Sequence, residues 1–397
     1  MELSKIISEV SSSKTMSLEL KAQAMIEKKI DVISLVAGEP GFKTPKDVCD
    51  IAIDAILDRF TGYTQVDGIV DLKRAVISRY KRDYNLEFNL DEVLISSGAK
   101  YCLYNILMCL INPGDEVIFS SPYWVSYPEI VKLCRGVVKI IDSSCKEKLL
   151  LKADDLESAI TTKTKVFIIC NPSNPSGMLY SEKDLMLIAN VMRRYPKLIM
   201  VCDEIYDLLS WENLQKHFLQ IAPDLYDRIV IVNGVSKSYS MAGWRIGYII
   251  ANKLLCRALK KFQSQTLSGP CSISQKAAIK ALQLTHADLR YYVNRYRENV
   301  LFMYNTLTNI CGIKCLRPSA SFYLFPNIEV LINKLHFKSD IDFCESLLKD
   351  ELVAIMPGSA FGKNGYIRIS CASNLKNIKV GAQRLKSFIE KRKALYL

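Results

Sequence analysis

Five short apolar runs stop abruptly on small, polar or imino residues. They are Val93-Leu94-Ile95-Ser96, Val117-Ile118-Phe119, Lys165-Val166-Phe167-Ile168-Ile169, Leu198-Ile199-Met200-Val201 and Ile229-Val230-Ile231-Val232. Hydrophobicity within them is continuous rather than alternating, which means burial on both faces. Helical patterns separate most of the runs, as over Glu182–Arg194. Buried strands alternating with helices predict an α/β fold with a mainly parallel, helix-covered sheet. Ligands of such sheets bind just past the C-terminal ends of the strands, so chemistry is sought where the runs stop.

Outside this region the spacing predicts a helix over 15–29 and helices between about Thr44 and Arg82, broken at Thr61-Gly62-Tyr63. From about residue 290, helices mix with short strands such as Tyr366-Ile367-Arg368-Ile369, a smaller α+β unit that the N-terminal segment is expected to join. A chain of 397 residues suggests about two to three domains.

Composition excludes several function classes. No apolar run approaches the roughly 18 residues of a membrane span, and Met1-Glu2-Leu3-Ser4-Lys5 has no apolar secretory core. A cytosolic protein without membrane attachment is expected. The 13 cysteines show no disulfide or zinc spacing and read as reduced thiols. With only three histidines, His217, His286 and His336, no metal site is expected, and another group must carry protons if the chain is an enzyme. The net charge of +12 is spread over dispersed lysines, without the basic runs of a nucleic-acid binder. Steering of small anionic substrates is an equally good reading of the charge, and a generally lysine-rich composition is a simpler one than either.

Taken singly, the run ends are modest. Ser97-Gly98-Ala99-Lys100 forms a strand-to-helix turn whose backbone N–H groups can meet an anion, or simply a tight turn. In Pro122-Tyr123-Trp124 the indole can stack on a flat ring or fill a core. Asn171-Pro172-Ser173-Asn174-Pro175-Ser176-Gly177 is too restricted for a plain turn and suits holding the amide of Asn174. Asp203-Glu204-Ile205-Tyr206 puts a carboxylate at the mouth of a buried strand. That is costly unless a cation meets it, although Asp is also a good helix cap. The last run leads into Ser236-Lys237-Ser238-Tyr239-Ser240-Met241-Ala242-Gly243-Trp244-Arg245-Ile246-Gly247. In this largely uncharged stretch Lys237 could be desolvated into a nucleophile, and Arg245 offers a planar fork for phosphate.

The segment from Ser236-Lys237 to Arg245-Ile246-Gly247 resembles the lysine signature of class I aminotransferases that use pyridoxal 5′-phosphate (PLP). The order of the loop Asn, Asp-x-x-Tyr, Lys and Arg is also that family's. The resemblance spans about Val36 to Ser370, and Pro122-Tyr123-Trp124-Val125-Ser126-Tyr127-Pro128 is similar to the bacterial-type aspartate aminotransferase subgroup, some members of which use prephenate. It implies PLP fold type I: a large domain over 46–290 with a mainly parallel seven-stranded sheet, a small α+β domain over 291–397, and residues 1–45 as an arm and part of the small domain.

The same resemblance implies the roles. Lys237 would carry PLP covalently and then shuttle the substrate proton. Asp203 would keep the pyridine nitrogen protonated. Tyr206 and Asn174 would bond the ring oxygen O3′, and Trp124 would stack on the ring. The phosphate would sit on Gly98, Ala99, Lys100, Ser236 and Arg245, with Tyr63 reaching across to the neighbouring subunit of a homodimer. Arg368 would clamp the substrate α-carboxylate, Gly38 would close over it, and Lys100 would help to read the distal carboxylate of aspartate. The expected activity is aspartate:2-oxoglutarate transamination.

Alternatives within the fold are prephenate use and β-elimination on cystathionine-like substrates. Relatives that use prephenate carry a Lys-Pro-Ser stretch near the N-terminus, where this chain reads Ser11-Ser12-Ser13-Lys14-Thr15. A second departure is Gly41, where the family usually has an acidic residue.

Overall fold

The computed structural model describes residues 3–11, 14–144, 147–212 and 214–396. Its centre is a seven-stranded sheet. We number the strands β1 (Val93–Ser96), β2 (Glu116–Ser121), β3 (Val137–Asp142), β4 (Thr164–Cys170), β5 (Ile199–Asp203), β6 (Ile229–Gly234) and β7 (Gly247–Ile250). Their spatial order is β1-β7-β6-β5-β4-β2-β3. Only β7 runs antiparallel to its neighbours; the remaining pairs are parallel.

Alternate residues of each strand feed opposite cores, as the period of two requires. Ile95, Phe167, Met200 and Ile231 pack with the helices Val70–Tyr84, Glu182–Arg194 and Ser272–Gln283 on one face. Leu94, Val166, Val201 and Val230 pack with Ala99–Leu110 and Lys253–Ser264 on the other. The helix Glu182–Arg194 starts where a capping box satisfies its first donors: the Ser181 hydroxyl accepts from the Asp184 N–H, and the Asp184 carboxylate accepts from Ser181.

A third core gathers the helices His286–Thr308, Asp340–Glu351 and Leu375–Tyr396 around an antiparallel sheet of Met356–Pro357, Ile367–Ser370 and Tyr323–Leu324. The N-terminal segment contributes Leu18, Ala22, Leu35 and Val36 to this core, and Ile33–Ser34 pairs in parallel with Val353–Ala354.

Two strands of the seven-stranded sheet lie outside the five apolar runs. β3 is an edge strand that includes Lys139 and Asp142 and is only partly buried, so it carries no continuous apolar signal. β7 directly follows the Lys237–Arg245 segment. The predicted helix over 15–29 runs from Lys14 to Glu27, and the break around 61–63 is wider, lying between Lys46–Leu57 and Val70–Tyr84. Ser12 and Ser13, within the Ser11–Thr15 departure, lie outside the described residues, as do the side chains of Lys14 and Thr15. No helix among the described residues is long and apolar enough to cross a membrane.

Candidate active site

Gly98 follows β1 with φ +81° and caps the helix Ala99–Leu110. A Cβ at this position would overlap the Arg245 guanidinium, so glycine is required for contact as well as for backbone conformation. Arg245 is itself left-handed, at φ +56°. Its Nη1 donates to the Ala242 carbonyl (2.7 Å) and its Nη2 to that of Ser97 (3.4 Å). A fixed cation is thereby held over the positive end of a helix, an arrangement that repels until an anion enters. Ser236 is buried alongside.

Asp203 ends β5 and is buried. It accepts hydrogen bonds from the Tyr127 hydroxyl (2.7 Å) and the Ile205 N–H (3.4 Å). Burial pushes its carboxyl up to about 6 against the lowering effect of the Tyr127 bond. Among the described residues no cation forms an ion pair with it. The sequence-level requirement for a cation at this strand mouth is therefore left to whatever fills the cavity.

Lys237 lies just past β6, and its Nζ donates to the Gly38 carbonyl at 2.6 Å. Burial, reinforced by the positive charges of Arg368 and Arg245, lowers its amine to about 8. It is thus the desolvated lysine that a nucleophile requires.

The loop after β4 brings in Asn174. Its Nδ2 donates to the Tyr206 hydroxyl (3.4 Å), and its Oδ1 accepts from Arg368 Nη1 (3.2 Å). Arg368, on the strand Ile367–Ser370, donates through Nη2 to the Val36 carbonyl (2.6 Å). Its guanidinium carbon lies 4.6 Å and 4.7 Å from the ring centres of Tyr323 and Phe361. The side chain is 6% exposed, yet its Nε has no hydrogen-bond partner among the described residues. A buried cation with a free donor fits an incoming carboxylate.

These groups surround one cavity of about 610 Å³, whose walls include Gly38, Ala99, Lys100, Trp124, Asn174, Asp203, Tyr206, Ser236, Lys237, Arg245 and Arg368. Lys100 Nζ lies 5.2 Å from the Trp124 ring centre, and burial together with Arg245 lowers its pKa. Trp124 in turn meets Tyr127 edge-on at 5.5 Å. Gly98 stands behind the wall at the helix start. Tyr63 is not part of the cavity wall and is fully exposed.

Sequence reasoning missed Tyr127 and Tyr323, each of which resembles an ordinary core aromatic. It also missed a buried polar network behind the Asp203–Tyr206 turn. There Arg79 pairs with Asp207 and Asp83 and donates to the Tyr248 hydroxyl, while His217 Nε2 lies 2.7 Å from Glu204 Oε1. Gly41 has a local explanation: a Cβ there would collide with the Ala372 carbonyl, so no acidic side chain fits.

The residues present suit PLP by chemistry. A lysine with a lowered pKa, a buried acid lacking an ion-pair partner and a cationic cradle at a helix start match an aldehyde, a ring nitrogen and a phosphate. The sequence profile of the family "Aminotransferase class I and II" matches residues 30–385. The chain is 40% identical over 397 residues to an aspartate/prephenate aminotransferase of Nitrosomonas europaea, covering 98% of this chain and 100% of that one. It is 37% identical to an aspartate aminotransferase of Bacillus subtilis, covering 98% and 100%. Among solved structures, the aspartate aminotransferase of Rhizobium meliloti matches with a TM-score of 0.94 at 36% identity, covering 98% and 99%. That of Thermus thermophilus with maleate matches with a TM-score of 0.91 at 30% identity, covering 98% and 99%. The chain belongs to the class I and II aminotransferases.

Proposed function

We propose that the protein is an aspartate:2-oxoglutarate aminotransferase working in two half-reactions with PLP held on Lys237. The observation that carries this reading is the meeting of Lys237, its amine lowered to about 8, and the buried Arg368 with its free Nε in one cavity. A nucleophilic amine beside a carboxylate receptor suits an α-amino acid.

When bound, PLP supplies an electrophilic carbonyl and a conjugated ring that takes up the electron pair left at the substrate α-carbon. Asp203 would accept the N–H of the ring nitrogen and keep the proton there. Tyr206 and Asn174 would orient the ring oxygen, and Trp124 would cover the ring face. The N–H groups at Gly98, Ala99 and Lys100, with Ser236 and Arg245, would hold the phosphate. Arg368 would bind the α-carboxylate under the Gly38 loop, and Lys100 would attract the second carboxylate of aspartate. Lys237 Nζ, freed once the substrate amine has taken its place, would move the proton at the substrate α-carbon, so one residue would be both anchor and acid–base.

A homodimer is part of the reading. Tyr63, Leu57, Ile56 and Ile53 form an exposed apolar group on adjoining segments, as a buried subunit contact would require. Residues 46–290 serve as the large domain and 291–397 as the small one, with 1–45 joining the latter through its core. All described cysteines are free, in keeping with a reducing cytosol.

The test is a panel of half-reactions on the PLP-loaded protein. Aspartate and glutamate, each without an oxo acid, should shift the visible absorbance and release oxaloacetate and 2-oxoglutarate. Absence of both shifts would contradict the reading. Prephenate belongs in the panel as an amino acceptor because relatives carry that name. Pyruvate and ammonia released from cystathionine would instead indicate elimination.

A further inference from the structure

Tyr323 belongs to the short strand Tyr323–Leu324, beside the strand that carries Arg368. It is completely buried. Its hydroxyl lies 3.0 Å from the Tyr206 hydroxyl, its ring centre lies 4.6 Å from the Arg368 guanidinium carbon, and a Cβ on Gly38 would overlap its oxygen. One side chain therefore touches the Tyr206 hydroxyl, the Arg368 cation and the Gly38 loop.

The direction of the Tyr206–Tyr323 bond follows from the donor inventory. Each tyrosine hydroxyl has one proton to donate and an oxygen that can also accept. Among the described residues, Tyr206 is the only hydrogen-bond partner of the Tyr323 hydroxyl. Either hydroxyl can donate at this distance, and both side chains border the cavity. Tyr323 is nevertheless fully buried while Tyr206 keeps 3% exposure, so the Tyr323 proton is the costlier one to leave without an acceptor, and Tyr323 is assigned as the donor. Asn174 Nδ2 donates to the same Tyr206 oxygen. The Tyr206 oxygen then accepts from both neighbours, and its own proton is free to turn into the cavity that Tyr206 lines. Accepting two bonds also polarises the Tyr206 hydroxyl and makes it a stronger donor.

We propose that Tyr323 is a positioning residue for both ends of the reaction: its hydroxyl directs the Tyr206 proton at the ring oxygen of PLP, and its ring holds the Arg368 guanidinium in the plane that receives the substrate carboxylate. This rests on the reading that PLP occupies the cavity. The two contacts are separable, because Tyr323→Phe removes the hydroxyl and keeps the ring, whereas Tyr323→Leu removes both.

A donor to the ring oxygen stabilises the deprotonated chromophore, in which that oxygen bears the negative charge unshared. The pH midpoint of the visible absorbance of the PLP-loaded protein therefore reports the strength of the Tyr206 bond. Tyr323→Phe should raise this midpoint by roughly half to one pH unit, while the Kd for maleate, a dicarboxylate without an amino group, stays within about twofold. Tyr323→Leu should weaken maleate binding by about fivefold or more, the loss of one cation–π contact near 1 kcal/mol. In a Tyr206→Phe background, Tyr323→Phe should leave the midpoint where Tyr206→Phe alone puts it.

An unchanged midpoint in Tyr323→Phe, or an additive shift in the double variant, overturns the proposal. So does unchanged maleate affinity in Tyr323→Leu. If Tyr323→Phe does not fold, Tyr323→Leu and Tyr206→Phe still decide, the latter by whether it raises the midpoint at all. The wild-type control separates the two levels: without a visible band and an aspartate-induced change there, the functional reading itself fails.

Discussion

Arg368 Nη1 and Asn174 Oδ1 lie 3.2 Å apart, joining the three-stranded C-terminal sheet to a strand-end loop of the large sheet. This bond ties the expected carboxylate receptor to the expected cofactor clamp, because Asn174 also donates to Tyr206. It also sets the guanidinium so that Nε is left over for a ligand. Arg368→Lys should accordingly lower kcat/KM for aspartate by about a hundredfold or more, since an ammonium cannot reproduce the fork. The band of bound PLP should remain. Steady-state kinetics with matched absorbance spectra test this, and near-wild-type kcat/KM would contradict the role.

Asp203 makes the opposite kind of trade. Its folded pKa of about 6 lies above the ordinary 3.8, so ionising it in the fold is a penalty. That penalty is absent below 3.8 and complete above about 6. Asp203→Asn should stabilise the cofactor-free protein at neutral pH by up to about 3 kcal/mol, with no gain near pH 4, while abolishing transamination. Urea unfolding at the two pH values checks the sign.

Lys237 gives a kinetic prediction. Its amine must be neutral to attack a carbonyl, and it titrates near 8 rather than at the ordinary 10.5. The rate of PLP attachment to the cofactor-free protein should rise with pH and level off just above about 8. Stopped-flow absorbance from about pH 6 to about pH 10 would show the plateau. A rate still climbing at the alkaline end would mean that the lysine is not desolvated.

The buried network behind the Asp203–Tyr206 turn is expected to be structural. Arg79→Met would strand the Asp207 carboxylate, which also accepts from Tyr84 and Asn233. A stranded buried charge costs about 3–5 kcal/mol. Pairing it with Asp207→Leu should recover more than about half of that loss. Denaturant unfolding of the two single variants and the double variant closes the cycle.

Much of this is legible in the sequence itself. The apolar runs became β1, β2, β4, β5 and β6, because strands buried on both faces cannot hide their hydrophobicity. Their polar ends converge as the parallel topology demands. β3 escaped because an edge strand half in water tolerates Lys139 and Asp142. Tyr323 escaped because Ser321-Phe322-Tyr323-Leu324-Phe325 has the composition of plain core, and only geometry shows its hydroxyl against Tyr206. Arg79, Asp207 and His217 escaped because polar side chains from separate segments look like solvated surface until the fold buries them together.

The central claim is that Lys237 is the residue that holds PLP. Borohydride reduction of the PLP-loaded protein, followed by peptide mass mapping, tests it most directly. The pyridoxyl group should appear on the peptide containing Lys237 and be absent in Lys237→Ala, which should still bind PLP loosely through Arg245 and Asp203 but no longer transaminate. Label on another lysine of the active wild-type protein, or wild-type turnover by Lys237→Ala, would contradict it.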